Sequence, residues 1–206
     1  MLVLNDCVIA GNSAPANLGG GIHNDGKNIG HATLQISNSV ITNNSGGIYN
    51  DALQAGRAML VITNSKLSNN NNGDAINNDG WSCIFCGNGT TSVQVINSSI
   101  TSNPGNAIYS DTGRQNCGGP CPTTVLISNS TISRNGACIT QTWSDVVVSN
   151  SMISGNGFGI YNDGGSLGTG VFNTTMSNDG VEIQDLNTSV VVALSQTIFN
   201  LSPRRT

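Results

Sequence analysis

The sequence predicts an all-β solenoid, a single-stranded parallel β-helix of about eight coils with lateral loop insertions in its N-terminal half. Three observations carry that prediction. A motif of the form NSxIxxN returns along the whole chain, and a second, typified by Gly46-Gly47-Ile48-Tyr49-Asn50-Asp51, follows each copy. The segments between them are short alternating apolar and polar runs joined by Asn, Gly and Ser, with no apolar spacing of helical period.

The first motif is marked by Ile9, Ile41, Leu67, Ile100, Ile132, Ile153, Met176 and Ile198, at intervals of 32, 26, 33, 32, 21, 23 and 22 residues. A basic repeat near 22 residues with insertions in the first half accounts for them. The second motif is marked by Ile22, Ile48, Ile76, Ile108, Ile139, Ile160 and Ile183, and from Ile41 onward it trails the first by only 7 to 9 residues. The insertions therefore lie after the Asp that closes it. A repeat of that length, made of short strands, matches one β-helix coil, whose equivalent residues stack about 4.8 Å apart. A lone coil buries too little to stand, so each must lean on its neighbours.

Stacking turns the repeat into columns. One polar column is Asp6, Asn38, Asn64, Asn97, Asn129, Asn150 and Asn173; a second is Asn12, Asn44, Asn70, Asn103, Asn135 and Asn156, continued by Asp179. Amides at rung spacing can donate to one neighbour and accept from the other, so both columns are expected to be structural ladders with buried side chains. Sequons such as Asn97-Ser98-Ser99 would then be closed to glycosylation.

Among 206 residues only 7 are Lys or Arg, the formal net charge is −4 and charged residues make up 9%. Phosphate neutralisation needs more cations than that, which excludes nucleic acid as a partner. No apolar run approaches the ~20 residues of a membrane helix, so no membrane insertion is expected. The chain opens at Met1 directly into a strand-like run, with no basic region or cleavage site. It reads as one β-helix domain, 1–206, excerpted from a longer protein whose further coils or caps would flank it.

The repeated NSxIxxN and GGIYND elements resemble right-handed parallel β-helix repeat proteins of bacterial cell surfaces, including the polymorphic outer-membrane-protein type with its GGAI and FxxN elements. Gly19 to Ile22, Gly46 to Ile48 and Gly157 to Ile160 stand for the first element, and Asn12 and Asn44 end the second. The resemblance implies right-handed coiling, an extracellular or cell-surface location, and adhesion or carbohydrate contact. A minority of β-helices are polysaccharide lyases or hydrolases, but the NTD, DD, GHG and RIK strings of the polygalacturonase-like hydrolases are not in this sequence.

Candidate chemistry lies beside the second marker. The outward column there is His23, Tyr49, Asn77, Tyr109, Thr140, Tyr161 and Gln184, and two residues further on stand Asp25, Asp51, Asp79, Asp111, Thr142 and Asp163. Aromatic faces beside carboxylates suit glycans or surface proteins as partners. Asn-Asp-Gly is also plain turn chemistry, and adjacent carboxylates could share a calcium ion. The two longest insertions carry Trp81, Arg114 and four cysteines. Cys83 and Cys86 are spaced C-x₂-C and Cys117 and Cys121 C-x₃-C, which suits disulfides stapling neighbouring loops or a four-thiolate zinc site. Arg114 could hold a sugar carboxylate or pair with Asp111. Cys7 and Cys138 occupy small-residue positions and are expected to be unpaired. No cofactor is required and no catalytic residue stands out, so the expectation is a non-catalytic binding module, with a β-helix polysaccharide enzyme or a structural spacer as alternatives.

Overall fold

The computed structural model describes the chain except for residues 15–18, 72, 81–88, 112–122, 163–167, 186–190 and 201–206. It is a right-handed parallel β-helix. One eight-stranded sheet is built from Leu2–Asn5, His31–Ser37, Arg57–Thr63, Thr90–Ile96, Thr124–Ser128, Asp145–Ser149, Gly168–Phe172 and Val191–Ser195. A second of eight runs from Val8–Ala10 through Val40–Thr42, Lys66–Ser68, Ser99–Thr101, Thr131–Ser133, Met152–Ser154 and Thr175–Ser177 to Ile198–Asn200. The third, of seven, comprises Ile22–Asp25, Ile48–Asp51, Ile76–Asp79, Asn106–Asp111, Ala137–Thr142, Ile160–Asn162 and Ile183–Asp185. Each coil visits the three sheets in turn, and every pairing is parallel to the equivalent strand of the next coil.

The core is a set of aliphatic stacks along the axis. Ile36, Ile62, Val95, Ile127, Val148 and Val171 form one, Ile41, Leu67, Ile100, Ile132, Ile153 and Met176 another, and Ile48, Ile76, Ile108, Ile139 and Ile160 a third, all within one buried cluster. β-Branched side chains dominate because two substituents on Cβ fill the spacing between rungs with little rotamer freedom to lose. The register matches the sequence markers except at the last coil. There Phe199, not Ile198, pairs with Met176, because Gln196 takes the left-handed corner position (φ 49°) and shifts the motif by one.

Two of the corners use the same device. The residue ending the first-sheet strand is followed by one in the left-handed region, with φ between 46° and 54° at Asp6, Asn38, Asn64, Asn97, Asn129, Asn150 and Asn173. Asn and Asp tolerate that conformation better than other residues with a Cβ. These side chains are exposed, which corrects the expectation of a buried ladder; in this backbone the left-handed residue projects into water and the one after it turns inward. The buried ladder is the serine column that follows. Ser65 Oγ accepts the N–H of Ser39 at 3.0 Å, Ser98 Oγ that of Ser65 at 3.1 Å, and Ser130 Oγ that of Ser98 at 3.2 Å. Each of these hydroxyls donates back to the carbonyl two residues earlier, as Ser65 does to Thr63 at 2.7 Å. Cys7 keeps the pattern, with its thiol 3.2 Å from the Asn5 carbonyl.

The next corner repeats the arrangement with Gly11, Asn43, Asn69, Ser102, Arg134, Gly155 and Asn178 at positive φ, each followed by the second polar column. That column is an asparagine ladder as expected, with Asn44, Asn70, Asn103, Asn135 and Asn156 buried. In every rung one side-chain oxygen accepts both the backbone N–H and the amide of the preceding residue, at 3.0 Å each for Asn70 on Asn103. A third, shorter ladder was not anticipated: Asn24 donates to Asn50 at 2.7 Å, Asn50 to Asn78 at 2.8 Å and Asn78 to Ser110 at 3.1 Å, all buried.

Beside the third sheet runs a column of small residues, Gly21, Gly47, Ala75, Ala107, Cys138 and Gly159, continued by Glu182. A Cβ on Gly47 would stand 2.0 Å from the Ala75 carbonyl oxygen. Gly47→Ala is therefore expected to cost about 1–3 kcal/mol as the rungs are forced apart. Urea unfolding measures this, and an unchanged midpoint would refute the close approach.

Candidate functional site

The third-sheet face places the expected Tyr and Asp columns in register: His23 pairs with Tyr49, Tyr49 with Asn77, Tyr109 with Thr140 and Thr140 with Tyr161. Burial divides them. Tyr49, expected to face outward, is only 7% exposed, and Asp51 is 0% exposed. Tyr49 is drawn down because its hydroxyl donates across one rung to Asp79 Oδ2 at 2.9 Å, while the His23 ring covers it with centroids 5.0 Å apart. Tyr109, half-buried, donates to Asp111 of its own rung at 3.2 Å. Burial first, then the neighbouring carboxylates, hold both phenols protonated: Tyr49 is raised strongly, and Tyr109 is pushed up to about 12.

Seven expected site residues, Asp163, Trp81, Arg114 and the cysteine pairs Cys83/Cys86 and Cys117/Cys121, lie outside the described residues. Of the aromatics that are described, Tyr161 remains partly exposed and packs on the exposed ring of Phe158, with centroids 5.7 Å apart at 60°. The aromatic stripe is thus broken, with His23 and Tyr49 at one end, a half-buried Tyr109 between, and Phe158 with Tyr161 at the other. Neither end forms a continuous stacking platform.

The turn chemistry of the Asp residues is present as written in the sequence. Asp25 Oδ1 accepts the N–H of Lys27 at 3.1 Å and Asp51 Oδ1 that of Leu53 at 3.0 Å. Their remaining oxygens converge with His23, so that ligand atoms of His23, Asp25 and Asp51 lie within 4.8 Å of one another. Among the described residues no other three-ligand group of this kind occurs. Calcium on the Asp column therefore has only this corner, and its donor set includes an imidazole nitrogen, which suits a borderline transition ion better than calcium. The cation placed there by the chain is Lys27, with Nζ 3.2 Å from Asp51 and 3.7 Å from Asp25. Burial works to lower the Lys27 pKa, but the two carboxylates outweigh it and raise it.

Lys27 was missed by sequence reasoning because it falls after the motif, in a stretch that differs from coil to coil. Asp74 and Asn106 were missed for a different reason: they stand inside the motif, at the position of Gly46, where the repeat reads as a turn glycine. Asp74 Oδ1 accepts both the N–H and the amide of Asn106 at 2.8 Å, and Asn106 Oδ1 accepts the Thr140 hydroxyl at 2.7 Å. Burial raises the Asp74 carboxyl against the lowering effect of those two bonds.

A second surface lies at the first corner. The exposed amides of Asn38, Asn64, Asn97 and Asn129 line an open groove of about 650 Å³ together with Val40, Lys66, Ser99 and Thr131. Its floor is the serine ladder, whose hydroxyls are committed to the backbone, so the amides, the Ser99 and Thr131 hydroxyls and the outward Lys66 are the groups available to a ligand. It runs along the axis and repeats its chemistry once per rung. No protein-family profile, curated protein or solved structure matches this chain.

Proposed function

We propose that the protein is a non-catalytic, surface-exposed or secreted β-helix module of the bacterial cell-surface type, and that it binds an extended glycan along the amide groove. The observation that supports this reading is the groove itself. Four exposed Asn amides, each a double donor and an acceptor, stand at the interval of one rung, comparable to the length of one pyranose unit. Neutral hydrogen-bonding groups in a shallow channel, with Lys66 as the sole cation among its lining residues, suit hydroxyl-rich ligands better than phosphates.

Replacing Asn64 and Asn97 together by Gly removes two amides while keeping free access to their left-handed backbone. Two lost hydrogen bonds should weaken a glycan found by array screening by about tenfold or more, with little change in stability. An array with no binders would leave the spacer reading in place, and unchanged affinity in the double variant would move binding off the groove.

A second reading, a β-helix polysaccharide lyase or hydrolase, draws support from the corner where His23, Asp51 and Lys27 bring a base and a charge-neutralising cation together. Release of product from polygalacturonate or another acidic glycan, abolished by His23→Ala, is its test.

A further inference from the structure

The seventh coil departs from the repeat at two neighbouring positions. Where the asparagine ladder has an amide in every rung from Asn12 to Asn156 it has Asp179, and where the small-residue column has Gly, Ala or Cys it has Glu182. Asp179 Oδ1 closes the ladder, accepting the N–H of Asn156 at 2.6 Å and its amide at 2.8 Å. In the rungs before it the amide nitrogen also donates to a carbonyl of the preceding coil, as Asn156 does to Ile132 at 3.3 Å. Asp179 has no nitrogen to do so, and its Oδ2 is buried with no hydrogen-bond partner among the described residues.

Glu182 is 8% exposed, and both of its carboxylate oxygens are likewise buried without a partner. The two carboxyl groups come within hydrogen-bonding range of each other, and the one opposing influence is the Asp179 backbone N–H, which lies near the Glu182 carboxylate but outside good hydrogen-bond geometry. Three unpartnered carboxylate oxygens buried on two adjacent side chains are costly unless something positive lies beside them. Burial first, and then Asp179, push the Glu182 carboxyl up to about 7, which expresses the same unmet charge. Among the described residues, the other titratable group packed on this corner is the buried thiol of Cys138, which burial and Asp179 keep protonated. The corner opens to solvent at Asn178, Gly180 and Val181.

We propose that Asp179 and Glu182 form a binding site for a hard divalent cation of the calcium class at this corner. Asp179 Oδ2 and the two Glu182 oxygens supply three oxygen ligands, and water completes the six to eight that calcium takes. The ion stands in for the missing ladder donor and neutralises the buried carboxylates of the seventh coil. Oxygen ligands alone select calcium over the softer ions that a thiolate would attract.

The test is calorimetric titration of the whole protein with CaCl₂ at constant ionic strength and pH 8, alongside thermal unfolding. The expected result is about one ion per chain and a rise in Tm of about 5–10 °C at a hundredfold excess over Kd. Asp179→Asn and Glu182→Gly, which restore the residues of the other coils, should fold and lose both effects. Asp25→Asn, at the separate His23 corner, should keep them. Absence of binding in the native chain, or binding that survives both coil-seven changes, would overturn the proposal. So would a Tm that responds to pH alone, because the pair would then be holding a shared proton.

Discussion

Asn103→Ala is expected to lower stability by about 3 kcal/mol, seen as a fall of about 6–12 °C in Tm. Asn103 sits in the middle of the asparagine ladder and is fully buried. Its side-chain oxygen takes the N–H and the amide of Asn70 at 3.0 Å each, and its own amide donates to Asn135 at 2.9 Å. Truncation leaves the Asn70 N–H with no acceptor and halves the acceptance at Asn135. A buried donor left unpaired costs about 1–3 kcal/mol, and the shortened side chain adds a small void. Asn38→Gly, at an exposed corner, should stay within about 0.5 kcal/mol. If the two substitutions cost the same in urea unfolding, the division of the Asn columns into one buried and one exposed is wrong.

That division shows where the sequence was legible and where it was not. Both Asn columns carry the same residue at the same period, so composition and spacing could not separate them. What separates them is backbone handedness: Asn38 is itself the left-handed residue, whereas Asn44 follows one, Asn43. The signal was available in the residue after each Asn. Ser39, Ser65, Ser98, Ser130 and Ser151 follow the first column almost without variation, and a position that repeats a small hydroxyl in every coil is one that a backbone N–H is using.

The aromatic column failed for a related reason. Alternation along a strand predicts which side chains leave the core, and Tyr49 does leave it. Burial outside the core depends on neighbours in the next coil, and Asp79 and His23 close over Tyr49 from the two rungs beside it. Period-2 reasoning treats each strand alone and cannot see this diagonal contact. The aliphatic stacks were legible because each requires only its own kind above and below. The His23, Asp25, Asp51 and Lys27 corner was half legible: the motif supplied His23 and the two acids, and only the turn after it brought the lysine.

The largest single loss is expected from Ala107→Glu, which copies into the middle of the stack the acid that coil seven carries at Glu182. Ala107 is 0% exposed, with Ala75 and Cys138 above and below it in the small-residue column. A carboxylate there would be desolvated and would find the adjacent ladders already committed to one another. Complete burial raises a carboxyl pKa by about 3–5 units, equivalent to about 4–7 kcal/mol of lost stability at neutral pH. The sign fixes the pH dependence. Because the folded-state pKa would lie above the unfolded value near 4.3, the variant should be most stable below about pH 4 and lose stability as pH rises through the raised value. Ala107→Gln has the same bulk without the charge and should show only an overpacking cost of about 1–3 kcal/mol, independent of pH. Urea unfolding of both variants at pH 4 and pH 8 separates the two terms. Equal destabilisation of the pair at both pH values would mean that bulk alone is refused in this column. Glu182 would then be tolerated for the space at the open corner beside Gly180 and Val181, and its charge would have no part in it.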